Sequence, residues 1–382
     1  MNMTPYIDPA VVHSFHVMLF QWSLMTLASV LLMSAAWWLL GYFNEDTDAP
    51  RRITFDTHHP FRQIWMLIRH RVGHTPKARV VLGWGLGTFW LIDGILQAQP
   101  AMPNNGFVQD VLAPSVIGQP PWYLRILGWN IQFWSDYPVG ADVFSVILQV
   151  GIGLCLLLAM DRVWGRIGLW VSIVWGLGIW FLGEGMGGIL TGSATWLSGS
   201  PGSVLFYVCG AIFLLLPESV WRDGRVIRLG NRVIGGIWIL ATFAQALPTA
   251  GYWTGQGLSG PFITAASMPQ PSFFSDPIHA MAVSTLRHPW LWNAVFVAFM
   301  FTLGVFFWFQ RVHSWVLVSA FVWLFFSWWM GQDFGVMGGI GTDPNSAPVF
   351  ALFIVTIHLD RFARRKHAPI ERHTQTFFTL ER

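Results

Sequence analysis

Leu82-Gly83-Trp84-Gly85-Leu86-Gly87-Thr88-Phe89-Trp90-Leu91-Ile92-Asp93-Gly94 is a run of thirteen residues whose only ionisable group, Asp93, stands near its end. The apolar stretch around it covers residues 80–98, enough for a helix to cross a bilayer core. Basic residues Lys77 and Arg79 precede it. Working outward, comparable stretches occur at 14–42, 142–160, 167–184, 202–217, 233–248, 291–310, 314–331 and 347–359, which makes nine candidate spans. Several are only 13–18 residues long, so their ends are expected to extend through neighbouring Gly and Trp residues.

The basic residues orient these spans. Connections after the first, third, fifth, seventh and ninth spans carry seven, two, four, one and six Lys/Arg, whereas the opposite face holds only Arg125 and Arg287. Positive charge is retained on the cytoplasmic side, so the N-terminus is expected outside and the C-terminus inside. The expected fold class is therefore an all-α integral membrane protein. Charged residues make up 11% of the chain, and the 24 Trp and 31 Phe suit surfaces that meet lipid and headgroups. The net charge of +3 sits where anionic lipid would attract it, and no nucleic acid is implied as a partner. The first apolar run is too long for a cleavable signal and starts from His13 and His16 rather than Lys or Arg, so it is expected to remain in the mature protein. Cys155 and Cys209 fall in different spans and read as small buried side chains, without the spacing of a redox pair or zinc site.

Spans two to five resemble spans six to nine at an offset that drifts from 152 to 148. Gly83 and Asp93 align with Gly235 and Gln245; Ile117-Gly118-Gln119-Pro120 aligns with Met268-Pro269-Gln270-Pro271. Pro138, Asp142 and Gly153 align with Pro289, Asn293 and Gly304, and Trp175, Trp180, Gly183, Glu184 and Gly187 with Trp323, Trp328, Gly331, Gln332 and Gly335. Each unit has four spans, an even number, so two copies keep the same orientation. The expected organisation is an N-terminal span and cytoplasmic segment (1–78), a first four-helix repeat (79–230), a second (231–360) and a basic cytoplasmic tail (361–382). The long outer connections 99–141 and 249–290 are rich in Pro and aromatics and read as structured caps, with Leu124–Trp129 suited to lie along the outer membrane surface. Residues 61–69 mix basic and bulky apolar side chains, as an interfacial cytoplasmic helix would.

The Gly-rich helix that ends in Asp93-Gly94, followed by a long outer loop in a four-span unit, resembles the DoxX-like superfamily. These are small four-helix membrane proteins that include the membrane subunit of thiosulfate:quinone oxidoreductases. The resemblance covers spans two to five and, more weakly, six to nine. It implies a prokaryotic plasma-membrane protein that handles a quinone or protons beside an extracytoplasmic or membrane redox partner. Where many relatives carry a basic residue shortly after the Gly, this chain has Ile95, Leu96 and Gln97.

Carboxylates inside a membrane are costly, about 2.5 kcal/mol or more each, and so mark sites. Asp93, Asp142 and Glu184 all fall toward the outer ends of their spans and are the candidate catalytic residues. The second unit has Gln245, Asn293 and Gln332 in the aligned places, with Asp333 beside Gln332. Gln332, Asp333 and Gln97 are candidates for holding a cofactor; the resemblance implies a quinone, and since the sequence shows no haem, flavin or iron–sulfur motif, any redox cofactor would be a bound quinone or reside on another subunit. His13 and His16 share a helical face near the same outer side and could take a divalent metal with a carboxylate. The plainer reading, two histidines at a headgroup boundary, is the stronger, since no third ligand has diagnostic spacing. The 14 Met residues form no local cluster for Cu(I), and His279, His288 and His313 are isolated.

The segments Gly183-Glu184-Gly185-Met186-Gly187-Gly188 and Gly331-Gln332-Asp333-Phe334-Gly335 admit two readings, close helix packing or a broken helix end that meets a ligand. Asp343 reads as an N-cap with Pro344 at the first helical position. Besides the redox reading, two functions stand open: a small-solute or ion transporter, and a non-catalytic scaffold or assembly subunit of a membrane complex. A single outer cavity shared by Glu184, Asp93 and the His13/His16 end of the first span is the sharpest structural expectation.

Overall fold

The structure is a computed structural model, and it describes residues 7–43, 75–336 and 341–364. The expected interfacial helix over 61–69 and most of the basic tail lie outside the described residues. Within them the principal helices are α1 (Pro9–Phe43), α2 (Lys77–Gln97), α3 (Pro121–Asp136), α4 (Pro138–Ala159), α5 (Val163–Leu182) and α6 (Ser203–Leu215). They continue as α7 (Arg225–Ala246), α8 (Gly255–Ser267), α9 (Ser272–Arg287), α10 (Pro289–Trp308), α11 (Ser314–Met330) and α12 (Ser346–Arg364). No strand occurs among the described residues.

Among the described residues six helices are long and apolar enough to cross a membrane: residues 9–32 of α1, then α2, α4, α5, α7 and α10. Such a set marks an integral membrane protein. Apolar helices α6, α11 and residues 346–359 of α12 are shorter. The helices overrun the apolar stretches where the sequence changes character. α7 starts at Arg225, so Arg228 and Arg232 belong to its first turns, where long basic side chains can extend toward headgroups. α4 and α10 both start on a proline, Pro138 and Pro289, whose missing N–H costs nothing at a helix start.

Glycine decides which helices approach most closely. On α2, a Cβ at Gly87 would stand 3.0 Å from the Gly153 carbonyl oxygen of α4, and one at Gly153 would stand 2.8 Å from the Gly87 oxygen. On α7, a Cβ at Gly235 would stand 2.8 Å from the Gly304 oxygen of α10 and 2.5 Å from the Trp308 nitrogen. Close backbone approach of this kind replaces the missing hydrophobic drive between helices in lipid. These contacts pair Gly87, not Gly83, with Gly235; Gly83 instead faces the Met160 side chain. The polar bonds follow the same register, because Gln97 Nε2 donates to Asp142 Oδ1 at 2.6 Å and Gln245 Nε2 donates to Asn293 Oδ1 at 2.8 Å. Gln245 therefore plays the part of Gln97, and the sequence pairing of Asp93 with Gln245 was one helical turn out. Glycines recur along α2 at 83, 85 and 87, so letters alone do not fix the turn.

One continuous apolar core joins the two sets of helices, from Leu82 on α2 to Ile357 on α12. Its centre is Trp196, in the connection between α5 and α6, with ring centroids 4.6 Å from Trp238 and 5.2 Å from Phe350. Trp196 Nε1 donates to Ser327 Oγ of α11 at 3.0 Å, and Thr195 Oγ1 donates to Gln245 Oε1 of α7 at 2.5 Å. In the other direction, Gln99 Nε2 donates to the Gly341 carbonyl at 2.9 Å. Each connection thus reaches across to the other set. α1 stands at the side of α4, where Phe15 is buried with Val143 and Val146. Cys155 and Cys209 are free thiols, as their placement in separate spans suggests.

Candidate functional site

The connection between α2 and α4 folds into a cap that holds the end of α5. Tyr123 of α3 donates its hydroxyl to the Phe181 carbonyl, and Asn130 Nδ2 donates to the Leu182 carbonyl at 3.2 Å. These carbonyls belong to the last turn of α5, where no intrahelical N–H remains to bond them. The chain then turns through four consecutive left-handed residues, Gly185, Met186, Gly187 and Gly188. Glycine is needed where the turn is tightest: a Cβ at Gly187 would stand 2.2 Å from the Pro201 oxygen. Gln119 Nε2 fixes the turn from outside by donating to the Gly185 carbonyl at 3.0 Å.

This turn delivers Glu184 to the start of α6. Ser203 Oγ donates to Glu184 Oε1 at 2.7 Å and the Val204 amide donates to the same oxygen at 3.3 Å. An acceptor there meets unsatisfied N–H groups and the positive end of the helix dipole. The other carboxylate oxygen, Oε2, is buried and receives no donor. Gln332 occupies the matching place at α12, accepting from the Ala347 amide at 3.2 Å through Oε1 and donating Nε2 to the Trp196 carbonyl at 3.0 Å. Trp180 and Trp328 repeat the correspondence, with Nε1 donating to Pro201 at 2.7 Å and to Pro344 at 2.8 Å.

Glu184 and Asp93 line one cavity of about 480 Å³, a size suited to a small organic ligand. Asp93 is 3% exposed and its Oδ1 accepts from the Tyr207 hydroxyl at 3.1 Å. Gln97, Gln149, Asn130 and Ser145 add polar groups to the lining, and Gln149 Oε1 has no donor. Aromatic side chains line the same cavity, among them Trp22, Phe107, Trp129, Trp134, Phe144 and Trp175. Phe144 and Trp175 meet edge to face with centroids 5.8 Å apart. Among the described residues no Lys, Arg or His lines the cavity.

The third carboxylate of the cavity is Asp343, which the sequence reading assigned to a helix cap. α12 begins at Ser346, so Pro344 precedes the helix instead of opening it. The Asp343 carboxylate closes a tight local turn, accepting from the Asn345 amide at 2.6 Å and from Thr342 Oγ1 at 3.1 Å. Burial holds the Asp343 carboxyl above the ordinary carboxylate range. A carboxylate 250 positions from Asp93 has no sequence signal linking it to this site beyond being a rare acid in an apolar chain.

The remaining candidates separate. Asp142 is fully buried behind the cavity, bonded by Gln97, and does not line it. His13 and His16 are exposed on α1 and do not line it either, because Phe15 between them is the side chain turned into α4. From α1 it is Trp22, about two turns beyond Phe15, that reaches the cavity. Among the described residues no group of three or more His, Cys, Asp or Glu side chains is placed to hold a metal ion. Gln332 and Asp333 line a separate cavity of about 350 Å³. Searches against protein-family models, curated proteins and solved structures find no match for this chain.

Proposed function

We propose that the chain is a DoxX-like membrane subunit whose 480 Å³ cavity binds the ring of a quinone and exchanges protons with it, beside a redox partner on the extracytoplasmic side. The supporting observation is that aromatic side chains and the carboxyls of Asp93, Glu184 and Asp343 line one cavity. Aromatic side chains suit the faces of a flat ring, and amides such as those of Gln97, Gln149 and Asn130 suit its carbonyl edges. Reduction of a quinone to a quinol takes two electrons and two protons. The electrons come from the substrate of the partner subunit, and the carboxyl groups that line the cavity supply and recover the protons. The cavity then belongs to the outer half of a nine-span bundle with the N-terminus outside, the C-terminus cytoplasmic and two parallel four-helix repeats. Matching seats for Glu184 and Gln332 support that duplication.

The test uses the purified full chain and a short-chain benzoquinone or naphthoquinone, followed by quenching of Trp fluorescence. Gly178 lines the cavity, and a Cβ there would meet nothing within 4 Å. Gly178→Phe should therefore fill the cavity without disturbing α5 and abolish saturable quenching, while Asp93→Asn and Glu184→Gln weaken it. Saturable quenching that survives Gly178→Phe unchanged would remove the cavity from the account.

A further inference from the structure

Asp333 lies outside the site just described and shows two features that packing does not account for. It is 8% exposed, yet neither carboxylate oxygen receives a hydrogen bond. The amide of Gln270 is its nearest polar neighbour; one N–H of Nε2 goes to the Ala265 carbonyl at 2.7 Å, and no hydrogen bond forms to the carboxylate. Asp333 also holds a left-handed conformation, φ 46°, at the place where the matching turn after α5 has Gly185 at φ 55°. An L side chain is retained where glycine fits better, and its charge is buried without a donor. Strain and an unmet charge at one residue are the combination expected where a ligand supplies the missing interaction.

The surroundings define that ligand. Asp333 lines the 350 Å³ cavity with Ser198, Thr264, Gln332 and Asn345, and among the described residues no Lys, Arg, His or Cys takes part. The polar groups offer oxygen and amide donors with no thiol or imidazole, which disfavours zinc, copper and iron. A single carboxylate brings one negative charge, where calcium and magnesium sites normally gather more. Ser198 Oγ donates to the Thr195 carbonyl at 3.3 Å, which leaves its lone pairs available to accept a cation. We infer that this second cavity binds a monovalent inorganic cation, Na+ or K+, through the Asp333 carboxylate and the neighbouring oxygen groups.

The experiment compares thermal unfolding of the detergent-purified chain in NaCl, KCl and N-methylglucamine chloride at constant ionic strength and pH 8. For the wild type, Na+ or K+ should raise Tm by about 3 °C or more over N-methylglucamine, with a saturable concentration dependence. The separate arms identify which ion is taken. Asp333→Asn and Asp333→Gly should lose the response. In addition, Asp333→Gly should be at least as stable as wild type in N-methylglucamine, since it places glycine at a left-handed position and removes the buried charge. Glu184→Gln should keep the full response, which separates this site from the first cavity. Should neither Asp333 variant fold, Ser198→Ala and Thr264→Val must lower the apparent cation affinity. Equal Tm in all three salts, a response that survives Asp333→Gly, or an affinity unmoved by both rim variants would overturn the inference.

Discussion

Ser203 Oγ donates to Glu184 Oε1 at 2.7 Å, and through that bond a carboxylate carried by the turn after α5 becomes the acceptor at the start of α6. Gln332 fills the equivalent seat at α12 with an amide oxygen. The seat itself therefore needs only an acceptor. Glu184→Gln should keep the bonds from Ser203 and Val204 and change stability by no more than about 1 kcal/mol, while impairing any step that needs a proton at Oε2. Glu184→Ala leaves both donors unmet and should cost about 1–3 kcal/mol. Chemical or thermal unfolding alongside quinone titration checks both. If Glu184→Gln unfolds the chain, the carboxylate is structural and the proton role falls.

Two adjacent glycines on α7 should respond in opposite ways. A Cβ at Gly235 would stand 2.5 Å from the Trp308 nitrogen, a backbone atom that cannot move aside, so Gly235→Ala should destabilise by about 1–3 kcal/mol. At Gly236 the nearest atom is a Trp308 ring carbon at 3.5 Å, an ordinary contact. Gly236→Ala should be neutral or stabilising by up to about 1 kcal/mol. Equal effects would mean that α7 and α10 do not meet at Gly235 and Gly304.

Asp333 sets a pH dependence. Burial pushes its carboxyl up to about 6, above the ordinary value of 3.8, so the folded state holds the proton more tightly than the unfolded state. Stability from this group is full below the unfolded value and is lost as pH rises from about 4 to 6. No other titratable side chain lines that cavity. In N-methylglucamine, Tm should fall between pH 4 and 7 more steeply for wild type than for Asp333→Asn. Added Na+ or K+ should restore the loss at pH 7 and do little at pH 4. Parallel curves for the two proteins would contradict the assignment of the titration to Asp333.

Orientation is tested by single cysteines in a background without Cys155 and Cys209. Gln256 is exposed at the start of α8 and should label from outside intact cells with an impermeant thiol reagent when replaced by Cys. Arg222, whose side chain is exposed beside Glu218, should label as Cys only after permeabilisation. The reverse pattern inverts the bundle.

Helix identity and membrane character were legible because they rest on long apolar runs, and the seats of Glu184 and Gln332 because each lies in a Gly-bounded turn with its own pattern. The convergence of Asp93 and Glu184 on one cavity was legible from position alone, since Asp93 stands near the end of α2 and Glu184 just past the end of α5. Asp343 was not, because the connection carrying it crosses to the other set of helices and no local spacing records that crossing. The histidines misled for a related reason: a shared helical face says that His13 and His16 point together, but not that they point inward. Phe15 fixes that direction through its burial against Val143 and Val146, a contact with no trace in the local sequence.

The most direct test of the central claim is photo-crosslinking of the purified chain with an azido-quinone, mapped by peptide mass spectrometry. The account predicts labels on cavity residues such as Trp129, Trp134, Phe144 or Trp175, competed by unlabelled quinone and lost in Gly178→Phe. Labels confined to exposed apolar residues such as Phe20, Leu31 and Trp290, undiminished by competitor, would contradict it.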